Sequence, residues 1–177
     1  GQPAPYLAPP LGQLNDASVV DPTPLYPFGH GLSYTRFEWT DVTASSARIP
    51  TDGEVTISLT VTNTGDRAGA EVVQLYLHDP VAQVTRPVSR LIGYARLPLA
   101  AGEAARLIFT VHADLTSFTG LAGQRIVEPG DLQLHLAASA VDIRHTVDVE
   151  LVGNLRTVDH RRRLITEVAV LPASGTT

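Results

Sequence analysis

Acidic and histidine side chains are the groups in this sequence that could do acid–base or metal chemistry. There are 18 acidic residues and six histidines, but neither cysteine nor lysine, which excludes thiolate and Schiff-base chemistry. Several of the carboxylates flank glycines, where turn hydrogen bonding explains them: Asp52, Asp66, Glu103 and Asp131. The histidines show no metal-ligand spacing, and no H-E-x-x-H or G-x-S-x-G motif occurs. We therefore predict no catalytic residue, no metal site and no cofactor, although a Ser/His/Asp set brought together by the fold stays open.

Exposed aromatic side chains could instead bind sugars or a neighbouring domain. Trp39 shares a strand phase with Phe37 and is expected in the core. Tyr76 lies on the polar phase of its strand, so we expect it to be exposed. The segment 79–90, which contains Arg86, is long for a hairpin loop, and long loops on rigid scaffolds often contact partners. Tyr76 and Arg86 are thus the candidate partner or sugar contacts.

Strict alternation of apolar and polar residues dominates the middle of the chain and positions these side chains. Five clear runs and two weaker ones show it: 55–61, 73–77, 107–111, 132–136 and 147–151, with 37–42 and 91–97. Turn sequences such as Asn63-Thr-Gly-Asp66 and Glu128-Pro-Gly-Asp131 separate them, and one helical turn fits at 113–118. The pattern predicts an all-β fold, an antiparallel β-sandwich of about seven strands. His78, His112 and His135 fall on polar phases and are predicted to face solvent.

The two ends of the chain differ from this middle. Residues 1–35 contain Pro3, Pro5, Pro9, Pro10, Pro22, Pro24 and Pro27. They are predicted to be extended, with no core of their own. The sandwich is expected at 36–152, and 153–177 is a C-terminal extension. A net charge of −5 argues against nucleic-acid partners, and no apolar run reaches bilayer-spanning length. Because the chain starts with Gly1 rather than Met, we expect it to be part of a longer protein, and its compartment cannot be read.

Three motifs in order resemble the C-terminal end of a family-3 glycoside hydrolase, the β-glucosidase and β-xylosidase family. They are Asp21-Pro-Thr-Pro-Leu-Tyr-Pro-Phe-Gly-His-Gly-Leu-Ser-Tyr-Thr-Arg-Phe37, the stretch from Val73-Gln-Leu-Tyr-Leu-His-Asp-Pro80 to Leu91-Ile-Gly-Tyr94, and Val127-Glu-Pro-Gly-Asp131 with its following strand. The resemblance implies a Greek-key, fibronectin type III-like sandwich. It also implies that residues 1–35 end an upstream α/β domain and link it to that sandwich. In this family both catalytic carboxylates lie upstream, so the resemblance implies an inert segment of a retaining enzyme.

The same resemblance assigns linker and packing roles to Tyr26, Phe28, Gly29, His30, Gly31, Leu32 and Tyr34. The two glycines would allow a sharp turn, and Phe28, Leu32 and Tyr34 would anchor it by burial. An approach of His30 or Tyr26 to a sugar cleft is the sharper alternative. The implied function is a stabilising, interdomain-packing domain; a carbohydrate-binding module and a free-standing adhesion-type module are the alternatives. The expected partners are catalytic domains of the same chain and, through them, an oligosaccharide, with a homodimer left open.

Overall fold

Twelve β-strands account for nearly all the regular structure of the described residues. The computed structural model describes Asp16 and residues 24–173. The strands are β1 (Phe37–Ala44), β2 (Arg48–Pro50), β3 (Glu54–Asn63), β4 (Gly69–His78), β5 (Arg90–Leu99), β6 (Ala104–His112), β7 (Phe118–Thr119), β8 (Arg125–Val127), β9 (Gly130–Ala137), β10 (Ile143–Val152), β11 (Arg156–Thr157) and β12 (Glu167–Pro172). A 3₁₀ turn, Ala113–Thr116, follows β6 at the predicted place. In the described part of the chain, no helix is long and apolar enough to cross a bilayer.

The strands form two facing sheets and one small one. The first sheet has the order β1-β3-β6-β12 and is antiparallel throughout. The second has the order β2-β10-β9-β4-β5, in which only the short β2 pairs in parallel. Strands β11, β8 and β7 make the third. Since the chain crosses between the sheets from β3 to β4 and back from β5 to β6, the predicted Greek-key β-sandwich is confirmed.

The core lies between the two large sheets and follows the alternation seen in the sequence. In the first sheet Ile57 pairs with Phe109 and Leu59 with Leu107, and all four are fully buried. Leu75 and Leu136 form the matching pair in the second sheet. Trp39 is buried too, as predicted. Each such side chain contributes roughly 1.5–3 kcal/mol by leaving water, so the paired inner faces hold the sandwich together.

The segment after β10 is tied into the sandwich. Strand β12 adds to the first sheet by pairing with β6. Two residues that precede β12 bind the buried carboxylate of Asp114 in the 3₁₀ turn. Arg156 forms an ion pair with it, and the backbone N–H of Arg163 donates to it at 2.8 Å. Arg156 also donates to the carbonyl of Thr51 at 2.7 Å. The division of the chain at residue 152 stays a prediction, but beyond it β11 joins the small third sheet and β12 joins the first sheet.

Candidate interdomain surface and groove

The segment entering the sandwich makes a tight turn that requires Gly29. The N–H of His30 donates to the carbonyl of Pro27 at 3.0 Å, and Gly29 has φ +77°, a left-handed conformation. A Cβ at Gly29 would lie 2.2 Å from the side-chain oxygen of Gln74, so both backbone and space favour glycine. A Cβ at Gly31 would meet nothing within 4 Å, and its φ is not left-handed. The predicted need for a small residue therefore has a structural basis only at Gly29.

The turn docks on the second sheet through its own backbone carbonyls rather than through its side chains. The amide nitrogen of Gln74 donates to the carbonyls of Gly29 at 3.2 Å and Ala138 at 2.8 Å. The carbonyl of Phe28 accepts the N–H of Ala140 at 2.9 Å. The hydroxyl of Tyr76 donates to the side-chain oxygen of Gln74 at 2.6 Å, which fixes the amide orientation. Gln74 thus links the turn to two neighbouring strands.

A second anchor lies at the start of β1, on the fully buried side chain of Asn63. Its oxygen accepts the hydroxyl of Thr35 at 2.7 Å and the N–H of Gly65 at 3.1 Å. Its nitrogen donates to the carbonyls of Arg67 at 2.8 Å and Leu99 at 3.1 Å. All four hydrogen-bonding positions of the amide are used. In the sequence Asn63 shows only as a turn residue, and nothing in the local pattern signals its burial.

The apolar side chains before the first anchor and between the two anchors are exposed. Leu32 and Tyr34 are each 92% exposed, and Leu25, Tyr26 and Phe28 are exposed as well. The ring of Tyr26 lies 5.3 Å from the His30 ring, centroid to centroid. The expectation that Phe28, Leu32 and Tyr34 anchor the linker by burial is not met within the described chain. Hydrogen bonds from Gln74, Ala140 and Asn63 to the linker hold it in place instead. We call this set of five side chains the linker strip.

A groove of about 1020 Å³ runs between the linker and the adjoining end of the second sheet. Arg144 lies in its wall, 3.7 Å from a carboxylate oxygen of Glu71 and 3.6 Å from one of Asp142. The guanidinium carbon of Arg144 also sits 4.5 Å from the centroid of the Trp39 ring, a cation–π contact. Burial raises the pKa of Glu71, outweighing the opposing effect of Arg144. Tyr94, which sequence reasoning did not single out, lines the same groove and is 65% exposed.

Two sequence-predicted contact residues are not surface groups. The prediction that Tyr76 is exposed is wrong: the side chain is on a central strand and is only 1% exposed, with its hydroxyl used by Gln74. Arg86 does not offer a free guanidinium either. It pairs with Asp79 at 3.2 Å, donates to the carbonyl of Thr116 at 2.9 Å and lies 4.5 Å from the Phe118 ring centroid. Arg86 therefore holds the long loop against the 3₁₀ turn.

His78, His112 and His135 are half-buried rather than solvent-facing as predicted. His78 and His135 stack with their ring centroids 6.2 Å apart. The Nδ1 atom of His78 lies 2.6 Å from the carbonyl of Val88, and that of His135 lies 3.0 Å from the Thr146 hydroxyl. Burial lowers the pKa of His135, and the neighbouring charge of His78 adds to the effect. Within residues 24–173 and Asp16, no group of three or more His, Asp or Glu could hold a metal ion.

Comparison with known proteins agrees with this geometry. Residues 71–140, from within β4 to just past β9, match the family described as the fibronectin type III-like domain. A β-glucosidase from Rhizobium radiobacter is 44% identical over 129 residues, covering 72% of this chain and 16% of the relative. A β-xylosidase from Formosa agariphila is 38% identical over 120 residues, covering 68% of this chain and 17% of the relative. This chain carries the fibronectin type III-like domain of family-3 glycoside hydrolases.

A solved structure extends the similarity to three dimensions. A β-glucosidase from Erythrobacter marinus superposes with a TM-score of 0.75 at 35% identity, over 83% of this chain and 19% of that one. The chain thus spans about a sixth to a fifth of the length of the enzymes it matches. The fibronectin type III-like domain described above therefore corresponds to one part of much larger proteins.

Proposed function

We propose that this fibronectin type III-like domain is a non-catalytic packing domain of a retaining β-glycosidase that hydrolyses terminal β-glucosides or β-xylosides. Its partners would be the catalytic domains of the same chain. The observation that carries the proposal is the linker strip, which exposes large apolar side chains on a backbone that is fixed to the sandwich. The names of the relatives, β-glucosidase and β-xylosidase, supply the reaction class.

The linker strip has the properties of a surface that another domain covers. Contiguous exposed apolar groups are uncommon on monomeric proteins and generally mark contact sites. The anchors at Gln74 and Asn63 restrain the backbone of the strip before any partner binds. Pre-organisation of this kind reduces the entropy lost on docking. The strip is therefore suited to fix the position of the sandwich against an upstream domain.

The best-buried carboxylates of the domain have structural partners, which favours a non-catalytic role. Asp114 pairs with Arg156, Asp79 with Arg86, and Glu71 with Arg144. A retaining glycosidase needs an acid/base carboxyl and a nucleophilic carboxylate about 5–5.5 Å apart, both facing substrate. Carboxylates held by arginines between strands and loops are better suited to holding the fold.

The first test asks whether the native gene product is longer than this chain. An antibody raised against the 177-residue chain should detect a band several times 18.9 kDa on a denaturing gel of the source cells. A band near 18.9 kDa would refute the packing role and favour a free-standing adhesion-type module.

The second test uses two exposed leucines as a matched pair. Leu32 lies in the linker strip, whereas Leu121 is 80% exposed between β7 and β8. In the 177-residue chain alone, Leu32→Ser and Leu121→Ser should both leave the unfolding midpoint unchanged. In the full-length enzyme, Leu32→Ser should lower the free energy of domain association by about 1.5–3 kcal/mol, the contribution of one buried leucine. Equal thermal stability and activity of the two full-length variants would contradict the proposal.

A carbohydrate-binding module built on Tyr76 and Trp39 is disfavoured, since both side chains are buried. A homodimer and an approach of His30 or Tyr26 to the sugar cleft stay predictions.

A further inference from the structure

The groove beside the linker crosses the second sheet rather than following one strand. Its lining includes Tyr94 on β5, Gln74 on β4, Ala138 just after β9, and Arg144 on β10. These strands are adjacent in the order β5-β4-β9-β10. With neighbouring strands about 4.8 Å apart, Tyr94 and Arg144 are separated by about 14 Å across the sheet. The groove is therefore long enough for an extended ligand with different contacts at its two ends.

Tyr94 supplies an exposed aromatic ring at one end. It pairs in register with Gln74, whose amide is held by the turn at Gly29, so the base of this end is fixed. The ring is 65% exposed, although Tyr94 lies on a strand whose inner face is buried. An aromatic side chain with a polar tip can pack against an apolar ligand face while its hydroxyl remains hydrogen-bonded. The C–H faces of pyranose rings have this character.

The other end presents hydrogen-bonding groups in fixed positions. Arg144 is held by Glu71 and Asp142 and by its contact with the Trp39 ring. A guanidinium fixed in this way keeps planar N–H donors in a set direction. The Asp142 side chain is half-exposed and can accept hydrogen bonds beside those donors. Two neighbouring hydroxyl groups of one ligand could then accept from the Arg144 N–H groups and donate to the Asp142 carboxylate.

The charge balance of the groove selects a neutral ligand. Two carboxylates, Glu71 and Asp142, face two guanidiniums, Arg144 and Arg36, in the lining. A phosphate or polyanion would meet the carboxylates, and a cation would meet the arginines. A neutral polyhydroxylated molecule avoids both costs.

We propose that this groove binds a neutral oligosaccharide, with a sugar ring stacked on Tyr94 and hydroxyls hydrogen-bonded to Arg144 and Asp142. The hydroxyls accept from the Arg144 N–H groups and donate to the Asp142 carboxylate. The groove shares Phe28 and Leu32 of its lining with the linker strip, whereas the proposed sugar contacts Tyr94, Arg144 and Asp142 lie outside the strip. These contacts also differ from the buried Tyr76 and Trp39. Binding can be measured in the 177-residue chain without the packing role, since the three contact residues Tyr94, Asp142 and Arg144 all lie in the sandwich.

The chain contains one tryptophan, and that residue reports on the groove. Trp39 lies directly beneath the Arg144 guanidinium, so a ligand that contacts Arg144 should change its fluorescence. We would titrate the 177-residue chain with cellotriose and xylotriose, and repeat each titration by calorimetry. The expected result is saturable binding with a Kd of about 1 mM, equivalent to −4.1 kcal/mol. Glucose and xylose, which cannot reach both ends of the groove, should bind at least about tenfold more weakly.

Tyr94→Leu removes the flat ring while keeping an apolar side chain, and Leu121→Ala is the control outside the groove. Because both positions are exposed, both variants should keep the unfolding midpoint of the unsubstituted chain. Tyr94→Leu should weaken trisaccharide binding at least about tenfold, whereas Leu121→Ala should leave it unchanged. Arg144→Gln, followed by calorimetry because it alters the reporter, should weaken binding in the same way.

The proposal is overturned if neither method detects saturable binding, or if Tyr94→Leu binds both trisaccharides as well as the unsubstituted chain. It is also overturned if a full-length enzyme, inactivated so that it cannot hydrolyse the trisaccharides, gives the same trisaccharide calorimetry with and without Tyr94→Leu, since another part of the protein would then fill the groove. Failure of the Leu32→Ser test stays distinguishable from these outcomes, because that test compares full-length enzymes that keep Leu32 or lack it, whereas the trisaccharide titrations of the 177-residue chain all keep Leu32.

Discussion

The carboxylate of Asp114 should set much of the stability of the C-terminal part of the domain. It is buried, forms an ion pair with Arg156 and accepts the N–H of Arg163. Asp114→Asn keeps the size of the side chain but removes its charge, so both charge-assisted hydrogen bonds weaken. Losing one partner of a fully buried ion pair costs roughly 3–5 kcal/mol, whereas the side chain of Arg156 is 29% exposed and stays partly hydrated.

We therefore expect Asp114→Asn to lower the free energy of unfolding by about 2–3 kcal/mol, near the range for one hydrogen bond to a charged group. For a domain of this size that corresponds to a fall in the melting temperature of roughly 4–12 °C. Urea unfolding followed by Trp39 fluorescence and far-ultraviolet circular dichroism would measure the change. Asp66→Asn is the control, because the Asp66–Arg67 pair is exposed on the surface.

The pH dependence separates charge from packing. Burial acts to raise the pKa of Asp114, but the hydrogen bonds of Arg156 and Arg163 and the charges of His112 and Arg156 outweigh it and hold the pKa below its ordinary value of 3.8. The stabilisation is thus fully present above pH 3.8 and is lost as the pH falls through the lower, folded-state pKa. The difference between Asp114→Asn and the unsubstituted chain should shrink over that window. A difference that persists unchanged in acid, or a neutral-pH stability equal to that of Asp66→Asn, would refute the reasoning.

Two further substitutions test the anchors of the linker, each by urea unfolding. Gly29→Ala should lower the free energy of unfolding by more than about 1 kcal/mol, because alanine disfavours a positive φ and its Cβ would collide with Gln74. Gly31→Ala is the matched control. It should be neutral, because the position of its Cβ is open space. Asn63→Asp should lower the free energy of unfolding of the domain by roughly 2–5 kcal/mol, because a carboxylate would face the carbonyls of Arg67 and Leu99 that now accept hydrogen bonds. Asn154→Asp is its control, because Asn154 is exposed. Equal effects within either pair would contradict the assigned role.

The seven strands predicted from the sequence are all present because each has one face in the core, which imposes a period of two. Strands β2, β7, β8 and β11 span two or three residues, too few to show any period. Strand β12 is exposed along its whole length, so burial imposes no pattern on it. Alternation therefore detects a strand where apolar residues line its core face and polar residues line the other face, even in β4, where the other face is covered too.

Tyr76 and Arg86 show the second limit of sequence reasoning. Alternation correctly places Tyr76 opposite the core residues Leu75 and Leu77, but it does not show that this outer face is also covered. Arg86 is a charged loop residue, which predicts exposure, yet Asp79 and the carbonyl of Thr116 pair its guanidinium away from solvent. For Arg86 one deciding partner, the carbonyl of Thr116, is 30 residues away in the sequence. The same holds for Asn63, whose acceptor Leu99 is 36 residues away.

The linker shows why a strongly apolar segment can be both well positioned and exposed. If Leu32 and Tyr34 packed onto the sandwich, they would hold the linker but leave no apolar surface for an upstream domain. Here backbone groups and the amides of Gln74 and Asn63 do the holding, so the side chains stay available. Under the proposed packing role, positioning and recognition are separable: substitutions at Gln74 or Asn63 should change the orientation of the sandwich, whereas substitutions at Leu32 should change only the strength of its contact with the upstream domain.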